Sequence, residues 1–167
     1  MQRRRRCAKM FSGPQKMELQ QAGNKLVIRP IEPRDAQDVS TLVQQLGYMR
    51  TVQEIQEWIA AANPLQQTAF VACLDGVVAG WIEVSIERRL QSAPFCLIGG
   101  LVVGKGRRGK GIGSELCRVA EEWGWQHGAG RVRVTSRSTR LDAHRFYTRD
   151  GYQVMKTSLV FEKDRPG

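Results

Sequence analysis

The residues with the most chemical potential lie between positions 96 and 127, CLIGGLVVGKGRRGKGIGSELCRVAEEWGWQH. Residues 96–103 are an apolar run that predicts a buried strand. Residues 104–110 mix glycines with cations. A helical pattern begins near Gly111, with Ile112, Leu116, Val119, Ala120 and Trp123 on one face at spacings of three and four. Five glycines fall within residues 104–113, more than a plain turn needs. Such a loop lets the backbone come close to a ligand. The unpaired N–H groups and the dipole of the following helix favour an oxyanion there. Lys105, Arg107, Arg108 and Lys110 add positive charge. The ligand this predicts is a phosphate or pyrophosphate.

The elements that must position this loop follow from the rest of the chain. Its 167 residues suit one domain with a sizeable core. Residues 1–25 carry seven Lys/Arg and one acid, a net +6, which leaves +4 of the total +10 for the remainder. They show no periodicity and are expected to form a disordered basic extension before a domain over residues 26–167. A nucleic-acid partner is the sharper reading of that charge, but a short Arg run does not require one. No apolar run is long enough to span a membrane, and no secretory h-region is present, so a cytoplasmic protein is expected. Cys73, Cys96 and Cys117 lie within apolar patterns and read as reduced core thiols; with two histidines and no CxxC pair, no metal site is expected.

Residues 26–31 read as a first strand. Pro33 opens a helix whose apolar face is Ala36, Val39, Leu42, Val43 and Leu46, and Gly47 ends it. Thr51 and Glu54 form a capping box for a second helix, stopped by Asn63-Pro64. Strands over 68–74 and 77–87 flank the hairpin signal Asp75-Gly76. After a loop over 88–94 come the strand, loop and helix already described, then a short strand over 131–135. A helix over 141–149 ends at Gly151, and residues 152–161 read as a last strand. The order β-α-α-β-β-β-α-β-α-β predicts an α+β domain with a mixed, mostly antiparallel central sheet flanked by helices. Its β-α-β segment over 96–135 is expected to be a right-handed parallel crossover.

Three patterns compete for the loop. Residues 104–109 match GxGxxG, but Thr135-Ser136-Arg137 stands where an acid should meet a ribose, which leaves a 2′-phosphate possible. Residues 104–110 nearly match a P-loop, but Gly111 stands where Ser or Thr should bind Mg²⁺. The third match is Arg108-Gly109-Lys110-Gly111-Ile112-Gly113, of the form [Q/R]xxGx[G/A], directly after a strand. It resembles the acetyl-CoA-binding motif of the GNAT superfamily of N-acetyltransferases. The resemblance continues over residues 26–163. Ala143-His144-Arg145-Phe146-Tyr147 through Gly151-Tyr152 is similar to the family's A…FYe..GF segment, with Tyr152 in the usual Phe place. Leu46-Gly47-Tyr48 with Thr51 and Glu54 resembles a common bacterial branch, as do Ser136, Arg140, Lys156-Thr157-Ser158 and Phe161-Glu162-Lys163.

The resemblance implies a role for each matching residue. Backbone groups of Arg108, Gly109, Lys110, Gly111, Ile112 and Gly113, with Ser114, are expected to hold the CoA pyrophosphate. The strand end at Leu101, Val102 and Val103, where the family's strands splay, is expected to line pantetheine and the thioester. Tyr147 is the expected general acid at sulfur, and His144, three residues before it, faces the cofactor from the same helix side. Leu97 stands where many relatives carry a basic Glu, so the base is open: Glu83 is the first candidate, Glu87 the next, and water a third. Tyr48 at the joint of the first two helices and Trp81 are expected to wall the acceptor pocket. The chain is thus expected to be an acyltransferase that moves an acetyl group to a primary amine, with a homodimer as an option. The alternative is a non-catalytic acyl-CoA sensor, or a nucleic-acid-associated protein working through its tail.

Overall fold

The computed structural model of the chain describes residues 17–21 and 24–167. Six strands form one sheet in sequence order, β1 Met17–Gln21, β2 Asn24–Pro30, β3 Gln67–Leu74, β4 Val77–Arg89, β5 Ser92–Val103 and β6 Val132–Val134. The first four junctions, from β1/β2 to β4/β5, are antiparallel. Two helices, α1 Ala36–Gln44 and α2 Val52–Ala61, lie between β2 and β3. A third, α3 Ile112–Gln126, separates β5 from β6, and α4 Leu141–Arg149 follows β6. The chain divides into two compact units at residues 133/134, and the α+β reading with a mostly antiparallel sheet holds.

Local chemistry explains these boundaries. Pro33 starts a single 3-10 turn, Pro33–Asp35, that leads into α1. Thr51 caps α2 by accepting from Glu54 N–H at 3.2 Å, while Glu54 accepts from Thr51 N–H at 2.8 Å. The Asp75-Gly76 turn has φ of +52° and +83°, the left-handed pair of a type I′ hairpin. The sheet sorts its side chains by period two. Trp81, Val71 and Cys73 pack with Val39, Leu42, Val43 and Ile55 beneath α1 and α2. On the other face a β-carbon at Gly80 would lie 3.4 Å from Leu116 of α3, which itself packs on β3, β4 and β5. Cys73, Cys96 and Cys117 are free thiols in this interior, and burial pushes the Cys96 thiol up to about 12. Cys7 lies outside the described residues.

Three expectations are corrected. Residues 17–21 and 24–25 were assigned to a disordered extension, but β1 pairs along its length with β2. Ladder hydrogen bonds to an existing strand make a sheet of residues with weak patterning of their own. The rest of the extension, including its Arg run, lies outside the described residues. At the other end, residues 152–161 form no strand; Val154, Met155, Leu159, Val160 and Phe161 are all exposed. Residues such as Tyr152, Val154, Val160 and Phe161 supply strand propensity, and a strand also needs a partner edge. The loop expected over 88–94 is instead a tight hairpin, because β4 and β5 run on to pair Arg89 with Ser92. No helix among the described residues is long and apolar enough to cross a membrane.

One buried ion pair ties β2 to the entry of α1. Arg29 Nη1 and Nη2 donate to the two oxygens of Asp35 at 2.7 and 2.8 Å, and Glu32 N–H donates to the same carboxylate at 2.8 Å. Burial pushes the Asp35 carboxyl up, but these hydrogen bonds and the Arg29 charge outweigh it and hold the carboxyl below its usual value. Its contribution is therefore complete above about pH 4, the ordinary Asp range, and is lost as pH falls through the lower folded-state value. Asp35→Ala leaves Arg29 with Pro30 O at 3.2 Å and Glu32 at 3.8 Å in place of the carboxylate fork, and is expected to cost about 3 kcal/mol in urea unfolding at pH 7, with a smaller difference from the parent at pH 3.

Candidate functional site

The basic loop begins at the end of β5. Gly104 N–H donates to Ala79 O at 2.9 Å, and a β-carbon on Gly104 would lie 3.4 Å from both Ala79 O and Leu42. That close approach fixes where the loop leaves the sheet. A 3-10 turn, Lys105–Arg107, follows, and Lys105 N–H donates to Gln45 Oε1 at 3.2 Å, tying the loop to the end of α1. Arg108 folds back so that its Nε donates to Val103 O at 3.1 Å. Gly109 and Gly111 then take φ of +76° and +72°, and a β-carbon on Gly109 would meet open space. Gly111 is the residue from which α3 starts, and no side-chain cap is present there. Arg108, Gly109, Lys110 and Gly111 are exposed, Gly113 and Ser114 partly so, and Ile112 turns into the core. Left-handed glycines leading into an uncapped helix start, ringed by cations, suit a diphosphate.

The second feature lies on the strands feeding this loop. Glu83 pairs with Gly100 while Val84 pairs with Ile98, so Gly99 is an extra residue, a β-bulge in β5. A β-carbon on Gly99 would lie 3.3 Å from Glu83 Oε1, and one on Gly100 would lie 2.6 Å from Cη2 of Trp81. The cross-strand neighbours of Glu83 are Ala69 and Gly100, so small residues flank the carboxylate on both sides. Glu83 lies on the face covered by α1 and α2, two residues from Trp81. Burial pushes its carboxyl above the usual range, and the positive charge of Arg50, from the joint between α1 and α2, opposes that rise. A carboxylate raised by partial desolvation is a stronger base than an ordinary Glu, the property a general base needs.

The expected site residues fall into two groups. Glu83, Trp81, Leu101, Val102, Val103, Tyr48 and residues 108–114 belong to the first unit. Register brings Val102 beside Trp81, Leu101 beside Ile82, and Gly100 beside Glu83. Tyr48 is 53% exposed at the α1–α2 joint, open to a ligand, whereas Trp81 is 8% exposed and belongs to the core more than to a pocket wall. The indole Nε1 of Trp81 is buried without a hydrogen-bond partner. Glu87 is engaged otherwise, accepting from Ser85 Oγ at 3.0 Å and lying 3.6 Å from Arg89. Leu97 is half-buried opposite Ser85.

Tyr147 and His144 belong to the second unit, residues 134–167, on α4. The Tyr147 ring meets Phe146 and Tyr152 edge-on at 5.1 and 5.5 Å, and Tyr152 N–H donates to Tyr147 O at 2.9 Å. His144 Nε2 lies 3.0 Å from Arg137 O. The bulge at Gly99 was missed by periodicity, yet Gly99-Gly100 inside an apolar run is its signal. Gln45, which anchors Lys105, carries no such signal.

An alanine at Gly100 must push the Trp81 ring out of its place. Gly100→Ala is expected to destabilise the protein by about 1–3 kcal/mol and to shift the tryptophan near-ultraviolet circular dichroism. Gly106→Ala, with open space around it, is expected to do neither.

Comparison with known proteins follows the same lines. The family model described as the Acetyltransferase (GNAT) family matches residues 36–152. An aminoalkylphosphonate N-acetyltransferase of Salmonella typhimurium (strain LT2) is 39% identical over 96 residues, 56% of this chain. The match spans 62% of that relative's length. The aminoglycoside N-acetyltransferase AAC(6')-Iy, solved in complex with CoA, superimposes with a TM-score of 0.75 at 20% identity, over 87% of this chain and 99% of that one. The aminoglycoside 6'-N-acetyltransferase AAC(6')-Ih of Acinetobacter baumannii does so with a TM-score of 0.73 at 19% identity, over 84% and 99%. These two likenesses are of fold.

Proposed function

Because the chain belongs to the acetyltransferase (GNAT) family, we propose that it transfers the acetyl group of acetyl-CoA to a small primary amine by direct attack. The observation that carries this reading is the Glu83 carboxylate, partly buried against the Gly99 bulge on the strand that leads into the basic glycine loop. The loop suits the cosubstrate on its own geometry: left-handed Gly109 and Gly111 present backbone to an uncapped helix start. Residues 108–114 hold the pyrophosphate in this reading, and Leu101, Val102 and Val103 line the pantetheine arm. Acetyl-CoA supplies an acyl thioester whose leaving group is a thiolate.

Glu83 takes the proton that the attacking amine must lose. Its carboxyl, raised by burial, is a better base than an ordinary Glu. Tyr147 gives a proton to the departing sulfur; a phenol remains a donor throughout the physiological range. The support for Tyr147 is its place in the FY pair that resembles the family motif, and its ring is held between Phe146 and Tyr152. His144, on the same side of α4 as Tyr147, contributes to cofactor binding in this reading. Tyr48 and the neighbouring joint between α1 and α2 receive the acceptor, and Trp81 stiffens the floor beneath it. The Salmonella relative is an aminoalkylphosphonate N-acetyltransferase, so small amines that carry phosphonate head the panel of acceptors. The domain runs over residues 26–167, extended by β1, and the basic stretch before it takes no part in transfer.

Free-thiol release from acetyl-CoA across an amine panel tests the reading. Tyr147→Phe and Glu83→Gln are each expected to lower kcat by about 100-fold at neutral pH, with acetyl-CoA affinity kept. The sign for Glu83 is fixed. Below its pKa the carboxyl is protonated and cannot accept, so the rate rises with pH through a value above the ordinary Glu range, and Glu83→Gln loses that limb. Acetyl-CoA binding with no thiol release for any amine would make the protein an acyl-CoA sensor instead.

A further inference from the structure

The joint between α1 and α2 carries one more charged group, and its surroundings are unusual. Arg50 is exposed, yet its backbone is fixed from two sides. Ser40, buried on α1, donates from Oγ to Arg50 O at 2.7 Å, and the next residue, Thr51, is locked in the α2 capping box. Its guanidinium touches Glu54 end-on, through Nη1 alone at 3.4 Å. The Glu54 Oε2 is already taken by Thr51 N–H at 2.8 Å and Thr51 Oγ at 3.1 Å. Nε and Nη2 of Arg50 make no hydrogen bond among the described residues. The contrast is Arg29, whose two Nη atoms both reach Asp35 in a full fork. A planar fork with an unused edge is suited to a second oxyanion held through two parallel hydrogen bonds.

We propose that Arg50 binds an oxyanion on the acceptor itself, so that the preferred acceptor is a zwitterion with its amine at Glu83 and its phosphonate or carboxylate at Arg50. The proposal rests on the acetyltransferase reading and adds to it the residue that selects the acceptor. The geometry gives the two charges separate places. Glu83 lies between Ala69 and Gly100 on the sheet, and Arg50, at the joint between α1 and α2, is near enough for its charge to act on Glu83. A negative floor and a positive rim match a small molecule whose amine and oxyanion lie a few atoms apart. An acceptor with no anion meets Glu83 but leaves the fork of Arg50 empty.

The test compares 2-aminoethylphosphonate, β-alanine and propylamine as acceptors for the full chain and for Arg50→Ala and Arg50→Lys. Losing a charge-assisted pair of hydrogen bonds is expected to raise KM for 2-aminoethylphosphonate by about 10- to 100-fold in Arg50→Ala; the lost charge also moves the rising pH limb of Glu83 to higher pH for every acceptor alike, so the readout is the difference in KM between acceptors. KM for propylamine is expected to stay within about twofold of the parent. Arg50→Lys, a point charge without the fork, falls between. A shift for the phosphonate alone assigns a tetrahedral oxyanion; a shift for β-alanine as well assigns oxyanions in general. An unchanged KM for both anions, or an equal rise for propylamine, overturns the proposal. Calorimetric titration of 2-aminoethylphosphonate, without acetyl-CoA, keeps the two readings separable. If no amine supports thiol release, the acetyltransferase reading fails, and Arg50 still stands or falls by whether Arg50→Ala weakens that binding.

Discussion

The constraint on which the site depends is the partial burial of one carboxylate, Glu83, that has no hydrogen-bonding partner among the described residues. An ionised group taken from water costs several kcal/mol unless charge or donors replace its hydration. At Glu83 the replacement is incomplete. Arg50 contributes charge from the rim, and burial still wins, so the carboxyl rises. The chain treats Asp35 differently. That carboxylate is also buried, but a full Arg29 fork and the Glu32 N–H satisfy it, and its carboxyl falls. One acid is saturated and holds β2 to α1; the other is left with proton affinity to spare. Only the second state has a use in chemistry.

That state is maintained by backbone irregularity. A regular β4–β5 ladder would place side chains on both sides of Glu83. The extra residue at Gly99, and the absence of a side chain at Gly100, leave room at the carboxylate and admit the Trp81 ring. Trp81 then packs under α1, which carries Ser40 and so fixes Arg50. Continuing along β5, the same strand ends at Gly104 against Ala79 and hands the chain to the basic loop. The bulge, the rim and the loop are therefore positioned by the pairing of two strands, β4 with β5.

Much of this was legible in the sequence, and the reasons are local. The Thr51–Glu54 box, the Asp75-Gly76 turn and the α4 boundaries depend on residues close in the chain, whose chemistry admits few alternatives. The glycine loop was legible because positive φ at Gly109 and Gly111 demands glycine. What escaped depends on partners distant in sequence. β1 exists through its pairing with β2, and residues 152–161, with strand-favouring side chains, pair with no edge. Glu83 was found as a candidate by strand face alone; that its neighbours are Ala69 and Gly100 is a fact of register, which one strand's pattern does not contain.

Leu97 shows how the two levels meet. Read along its strand, it is an apolar residue where the resemblance implies an acid, which argues for a domain that binds a thioester and does nothing with it. Read across the sheet, Leu97 pairs with Ser85, and Glu83 is two residues further along β4, beyond the bulge. A base is defined by where its oxygen stands relative to the acceptor, not by the strand that carries it. A carboxylate on the adjacent strand can serve the same face if the residues beside it are small, and those beside Glu83 are Gly100 and Ala69. An apolar residue at position 97 is therefore compatible with the proposal that Glu83 on β4 is the base.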